Sequence, residues 1–431
     1  MLRRCTALLA LCSGASILMG QTQEFSLLDV NPLIRLAFEQ NREILAAQER
    51  LAEARGLLRQ AGVRPAPTVE ATAASGRPLG THGEEEFTAG YFQPIETGGK
   101  RPKRVLVAEK ALALAGAELD EHKRQLAFNI KARYIDAVTS RRKAEAIDHI
   151  VSLNRESYEL VNARVQRGDA APLERQLLLV ELRRAEAQRA AITGLAQSAE
   201  SELRRTIAVD LDGASIPPAK ALPTPLVTET LDEVRWRALQ ARPDLRAART
   251  LASQSAAELE LVESLARPDI TLSAQYTRRY AQFEDPLRTT GSGSPLLLQD
   301  RDNLLTLGVS IPLQTRKRNQ GNAEAAAARQ NAARLRSQHL EATIPIEIDA
   351  AWQHYQASRK TLEILNRGVV DESEKNLSVI RQAYDLGQLR LLDVLNEQRR
   401  LLETQLSYID AEADMAMSLA ELERAAGGEL K

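Results

Sequence analysis

The sequence predicts a mainly α-helical, internally duplicated chain that contributes four β-strands to a transmembrane barrel. Three observations carry that prediction: a motif that returns after about half the chain, seventh-residue apolar spacing over a long stretch, and two-residue alternation in short segments. Gly90-Tyr91-Phe92-Gln93-Pro94-Ile95-Glu96-Thr97 recurs as Gly308-Val309-Ser310-Ile311-Pro312-Leu313-Gln314-Thr315, with Gly, Pro and Thr each returning 218 positions later. Arg167-Gly168 followed by Leu173-Glu174 is echoed by Leu386-Gly387 followed by Leu392-Asp393, 219 positions on. Upstream, Leu45 answers to Leu245 and Pro67 to Pro268, at shifts of 200 and 201. About 17 extra residues therefore lie between Pro268 and Gly308, and their Asp285-Pro286 and Gly291-Ser292-Gly293-Ser294-Pro295 content predicts an exposed loop. A unit of this length is too long for a solenoid repeat and reads as a duplicated domain half with approximate two-fold symmetry.

The chain has 431 residues, 57 basic against 58 acidic, and only 4% aromatics. That balance gives no electrostatic case for nucleic acid as a partner. Ala, Leu, Glu, Arg and Gln dominate, which favours long helices and coiled coils. No uninterrupted apolar run approaches the ~18 residues of a spanning helix. Met1 to Gly20 has Arg3-Arg4, an apolar stretch from Ala7 to Leu11 and small residues from Ser13 to Ser16, the pattern of a secretory signal. Both cysteines, Cys5 and Cys12, lie inside it, so the mature chain carries none. Cys12 is the alternative lipid acceptor, but the bulky Leu11 before it makes a poor lipobox.

The elements follow in order. Asp29 to Gln60 reads as one helix, ended by Gly62 and Pro65. Pro67 to Ser75 alternates, with Val69, Ala71 and Ala73 on one face and Thr68, Glu70 and Thr72 on the other. Arg77 to Glu86 reads as a polar loop, and Phe87 to Ile95 as a second strand. In the second copy Ile270, Leu272, Ala274 and Tyr276 interleave with Thr271, Ser273, Gln275 and Thr277, while Leu305, Leu307, Val309 and Ile311 interleave with Thr306, Gly308 and Ser310. Strands of about 9 residues with one apolar and one small polar face suit a bilayer, although a half-buried soluble sheet shows the same alternation. Four strands cannot close a barrel, because open edges in lipid leave backbone groups unpaired, so the chain must contribute its strands to an oligomer.

Between Gly99 and Gly168 the only proline is Pro102, so about 66 residues can form one helix of roughly 100 Å. Ile130, Ala137, Ala144, Val151, Tyr158 and Val165 recur at every seventh position, a coiled-coil seam. The second long helix, Asn319 to Leu386, contains Pro345, which predicts a kink or local break. Gly168 and Gly387 allow tight reversals into returning helices from Pro172 to Arg205 and from Leu391 to Ala426. The organisation is thus a signal at 1–20, a first repeat at 21–212, a Pro-rich connector at 213–230 and a second repeat at 231–431.

No constellation looks catalytic, and no cofactor is expected. His82, His122, His149, His339 and His354 stand singly, none with a neighbour at metal-ligand spacing. Gly98-Gly99-Lys100 lacks the rest of a phosphate loop.

This order of helix, two strands, long helix, tight turn and returning helix, made twice behind a signal, resembles the TolC family of outer-membrane efflux proteins. Gln93-Pro94-Ile95-Glu96-Thr97-Gly98-Gly99-Lys100-Arg101 is similar to a segment of the outer-membrane members of heavy-metal resistance pumps. The resemblance implies a homotrimer that pools twelve strands into a barrel in the outer membrane of a Gram-negative bacterium, contacting its lipid, above a helical barrel that hangs into the periplasm. A periplasmic adaptor and an inner-membrane pump are the implied partners. The adaptor would meet the tips Arg167-Gly168-Asp169 and Leu386-Gly387-Gln388. Asp393, six residues past Gly387, would line the narrowest part of the pore, where three carboxylates attract cations. The family's second acidic position is Asn396 here, with Glu397 adjacent as a substitute. Tyr384 and Glu174 correspond to a latch of the closed state, whose Arg position is Leu389 with Arg390 next door. Implied cargoes are divalent heavy-metal cations first, then small drugs, then secreted polypeptides. A periplasmic or cytosolic coiled-coil scaffold is the rival class.

Overall fold

The computed structural model describes residues 30–76, 78, 84–208, 222, 225–289, 291–293, 295–313, 316–365 and 368–430. The signal expected at 1–20, with Cys5 and Cys12, lies outside them, as does most of the connector expected at 213–230. Within the described residues each repeat consists of two short helices, two strands, a long helical stretch and a returning helix. The first comprises α1 (Val30–Gln40), α2 (Arg42–Ala61), β1 (Thr68–Ser75), β2 (Glu84–Ile95), α3 (Lys100–Arg167) and α4 (Pro172–Ile207). The second comprises α5 (Leu231–Ala241), α6 (Pro243–Ser264), β3 (Ile270–Thr289), β4 (Pro295–Ser310), α7 (Arg316–Leu365), α8 (Val369–Asp385) and α9 (Leu391–Ala426). α3 is one uninterrupted helix of 68 residues, and its heptad seam from Ile130 to Val165 is buried or half-buried throughout.

The helix expected from Asp29 to Gln60 is two helices, because Asn41 interrupts it. Asn41 is extended, and its Oδ1 accepts from the backbone N–H groups of Glu43 at 2.8 Å and Ile44 at 3.4 Å, which starts α2. Its Nδ2 donates to the Ile207 carbonyl, the last of α4, at 3.1 Å. Arg242 does the same in the second repeat. It breaks α5 from α6, is 5% exposed, and its guanidinium donates to the Ala425 carbonyl near the end of α9 at 3.3 Å. Asn41 to Arg242 is a shift of 201, and Ile207 to Ala425 a shift of 218, the two offsets of the sequence duplication. Each repeat is therefore clasped by a polar residue in its short-helix break reaching the foot of its returning helix. Two cores flank these clasps, one around Leu33, Ile130, Tyr134 and Leu203, the other around Val234, Ile344, Ile348 and Tyr355.

The strands form one antiparallel sheet in the order β1-β2-β3-β4. The polar loop expected up to Glu86 is shorter, since β2 begins at Glu84. The extra residues of the second repeat are not a loop but a lengthened hairpin: β3 has 20 residues and β4 has 16, paired out to Thr289 and Pro295 with an irregularity between Asp285 and Thr289. The hairpin extends beyond Ala281, the last β3 residue paired to β2, by about 25 Å.

Pro345 does not interrupt its helix. It lies inside α7, one residue after Ile344 and three before Ile348, both fully buried, so packing carries the helix past the missing N–H. The break comes later, before α8, whose N-cap Gly368 has φ 87° with nothing within 4 Å of a would-be Cβ. The second long helix is thus α7 plus α8 rather than one continuous rod.

Candidate functional site

Residues paired across antiparallel strands share a face. The register places Val69, Tyr91, Ala274 and Leu307 in one row and Leu272 with Val309, and Tyr276 with Leu305, in adjacent rows of that same face. Ala71, Ala73, Phe87, Ala89, Ile95 and Ile270 lie on it too, with Gln93 opposite Leu272. The opposite face carries Thr68, Glu70, Thr72, Thr88, Gly90, Thr271, Ser273, Gln275, Thr306, Gly308 and Ser310, with Phe92 and Leu304 among them. The apolar face is uncovered: Val69 is 76% exposed, Leu307 74% and Val309 65%. An apolar band from Ile270 to Tyr276, about 20 Å tall, is what a barrel presents to lipid. Among the described residues, β1 and β4 each keep one unpaired edge. No helix among the described residues is long and apolar enough to cross a membrane, a fact that bears on helices alone.

The segment Gln93 to Arg101 forms the corner where the sheet joins the helices. Lys100, 6% exposed, pairs with Asp269 at 2.7 Å, and the Thr97 N–H donates to the same carboxylate at 2.9 Å. Arg104 grips Glu96 at 2.5 Å and donates to the carbonyls of Ala61 and Val63. These residues tie strand ends to helix ends, so the segment's charges are spent on the junction. Among the described residues no cluster of three His, Cys, Asp or Glu side chains is placed to hold a metal.

The two tips are the same turn made twice. Gly168 has φ 81°, its N–H donates to the Val165 carbonyl at 3.1 Å, and Asp169 N–H to the Arg164 carbonyl at 2.9 Å. Gly387 has φ 74°, its N–H donates to the Tyr384 carbonyl at 2.9 Å, and Gln388 N–H to the Ala383 carbonyl at 2.9 Å. This double bond satisfies helix-end carbonyls around a left-handed residue, the conformation that glycine enters without strain. Nothing lies within 4 Å of a would-be Cβ at either glycine, so the tips stand open. Arg167, 3.8 Å from Asp169, and Leu386 are exposed beside them.

Just above the tips Val161, Leu178, Leu391 and Leu395 pack into one cluster that joins the two hairpins, with Tyr384 against it. The Tyr384 hydroxyl donates to Glu174 at 3.4 Å, which brings together the pair expected from sequence. Burial, and then the charge of Glu174, push the Tyr384 phenol above its ordinary value. Glu174 and Asp393 are equivalents: each donates its backbone N–H to the carbonyl three residues before, Ala171 and Arg390, at 3.0 Å. Asp393 also accepts from the Arg390 N–H at 2.9 Å, so it starts α9 as well as facing solvent. Arg390 and Asn396 are exposed. Glu397, the expected substitute for the second acid, is only 9% exposed and turned into the protomer, because it shares the helix face of Val394 and Leu401. It does not join the solvent-facing carboxylate.

The profile described as "Outer membrane efflux protein" matches residues 33–209 and 234–428, one match per repeat. The chain belongs to the outer membrane efflux protein family. Efflux across the outer membrane is its function, and the family is one of transport proteins. The chain is 24% identical to the cobalt-zinc-cadmium resistance protein CzcC of Cupriavidus metallidurans over 93% of its own length and 90% of that protein's. Its fold is similar to CusC, with a TM-score of 0.72, 17% identity and coverage of 93% and 92%. It is likewise similar to the outer membrane protein VceC of Vibrio cholerae, with a TM-score of 0.68, 21% identity and coverage of 93% and 97%. Sequence reading missed the Asn41 and Arg242 clasps, whose signal was a lone polar residue at the 201-residue offset.

Proposed function

We propose that three copies of this chain close a twelve-stranded barrel in the outer membrane and a helical tunnel below it, forming the exit duct of a tripartite efflux pump. One observation carries the proposal: a four-stranded sheet with an uncovered apolar face, a small polar face and two unpaired edges. Such a sheet is stable in lipid only when neighbouring copies pair its edges. A periplasmic adaptor seated on the open tips at Gly168 and Gly387 links the duct to an inner-membrane pump. Asp393 and Asn396, the solvent-facing residues six and nine positions past Gly387, line the entrance, and Tyr384 with Glu174 holds the two hairpins together beside it.

Divalent heavy-metal cations are the proposed cargo. The likeness to CzcC supports this. So does the polar strand face: where β2, β3 and β4 all pair, it carries Glu84, Glu86, Asp300 and Asp302 against Arg279, so the outer mouth favours cations. The junction segment Gln93 to Arg101 lends no chemistry to that choice, since Lys100 and Glu96 pair with Asp269 and Arg104, and Arg101 donates to the Gly62 carbonyl. Deleting the gene should sensitise the cell to cobalt, zinc or cadmium more than to lipophilic drugs, with tolerance restored by the wild-type chain. Sensitisation to drugs alone would assign the channel to organic cargo.

A further inference from the structure

Above the apolar band the sheet sorts its charges by face. Arg279 points to the polar face, where it donates to Glu86 through Nε at 3.1 Å and through a terminal nitrogen at 3.0 Å. Asp302 lies directly across from Arg279, and Asp300 follows on the same face. Arg278 and Arg301 go the other way. Arg278 is two residues past Tyr276 and pairs with Asn303, and Arg301 pairs with Tyr280, so both continue the apolar face as diagonal neighbours about 7 Å apart.

Both side chains are exposed, and neither has a carboxylate partner among the described residues. Arg301 lies over the Tyr280 ring at 5.6 Å, and the Tyr276 hydroxyl donates to Asn303 at 2.6 Å, so aromatic rings mark the height at which the apolar band ends. Among the described side chains Glu85 is the one acid of this stretch on the same face; it is a diagonal neighbour of Arg278, and Tyr280 stands between it and Arg301. Two arginines aimed outward one step beyond an acyl-facing surface, while every neighbouring acid but one faces the pore, are arranged for an anion that belongs to the membrane. The guanidinium fork matches phosphate oxygens in a bidentate manner, and a second guanidinium across the ladder adds charge to the same ligand.

We infer that Arg278 and Arg301 form a binding site for a phosphorylated glycolipid of the outer leaflet. This rests on the barrel reading given above, with the β3–β4 hairpin, the end of the sheet away from the helices, facing outside. The site holds the headgroup phosphate against β3 and β4, with the acyl chains along Leu272, Leu305 and Leu307.

Native mass spectrometry of the purified full-length oligomer in detergent tests it, with bisphosphorylated lipid A, dephosphorylated lipid A and phosphatidylethanolamine as probes. Wild type and the R279Q control should retain bisphosphorylated lipid A at least tenfold better than the R278Q/R301Q double variant. Wild type should retain the other two lipids no better than the double variant does. Equal retention of bisphosphorylated lipid A by wild type and double variant overturns the site. So does equal retention of phosphorylated and dephosphorylated lipid by wild type, a comparison that needs no variant to fold. Membrane fractionation of the wild-type chain separates this outcome from failure of the barrel: a chain that stays in the outer membrane without an arginine effect loses only the site, and a chain soluble without detergent loses both.

Discussion

At the residue scale, Arg242 shows how a buried charge is accommodated. Its guanidinium donates to Asp244 at 2.6 Å, to Glu347 at 2.7 Å and to the Ala425 carbonyl. Burial pushes the Asp244 carboxyl up, but the hydrogen bonds and charge of Arg242 outweigh it and leave Asp244 below the usual carboxylate range. A carboxyl lowered by folding stabilises fully above its unfolded value, near 4, and that stability is lost as pH falls toward the native value. Thermal dissociation of the wild-type oligomer should therefore be flat above about pH 5 and decline below it. Asp244→Asn should cost about 3 kcal/mol at neutral pH and flatten the acid limb. Asp393 is the contrasting case, exposed at the start of α9. Asp393→Asn should reduce cation preference and weaken block by multivalent cations in planar bilayers, with folding little changed. Unaltered selectivity and block would leave Asp393 as a helix-starting residue only. The Tyr384–Glu174 contact was legible through the family resemblance, which pairs the two residues beside the tips, and the pore role of Asp393 comes from the same resemblance. The clasps at Asn41 and Arg242 were not, since one polar residue in an otherwise periodic stretch does not announce that it will be buried against a helix foot 166 or 183 residues away.

At the element scale, strand alternation made β1 to β4 readable and heptad spacing made α3 readable, because a period is a property of the segment itself, while the reversals at Gly168 and Gly387 announced α4 and α9. Where the helices break is not such a property. Pro345 lacks an N–H yet continues α7 on the packing of Ile344 and Ile348, whereas α7 stops at Leu365 and α8 starts anew behind Gly368, whose φ is 87°. The β3–β4 extension misled for a related reason: Gly and Pro signal a turn somewhere, but pairing decides how far the ladder runs toward it. Leu307→Arg, at the centre of the apolar band, should destabilise the barrel by roughly 2 to 4 kcal/mol, whereas Thr306→Arg on the polar face should not, as urea unfolding in vesicles would report. The tips call for a different test. Replacing Gly168 and Gly387 together with Trp forces a bulky side chain into the left-handed region at an open turn. Assembly should persist and export should stop; normal export by the double variant would remove the tips as the docking surface.

At the scale of the whole molecule, duplication explains why one chain has two tips, two clasps and two hairpins, and why its sheet still has two edges. The repeats supply each other's partners through β2–β3 and through the cluster around Leu178 and Leu391, but nothing among the described residues pairs the outer edge of β1 or β4. Closure belongs to the assembly, and conduction belongs to closure. The central claim is that assembled copies of this chain form a water-filled duct lined by the small polar strand face and by Asp393. Single-channel recording of the purified oligomer in planar bilayers tests it most directly. Discrete conductance steps with preference for cations over anions are expected. Absence of steps from an oligomer shown to insert, or a preference for anions, would contradict it.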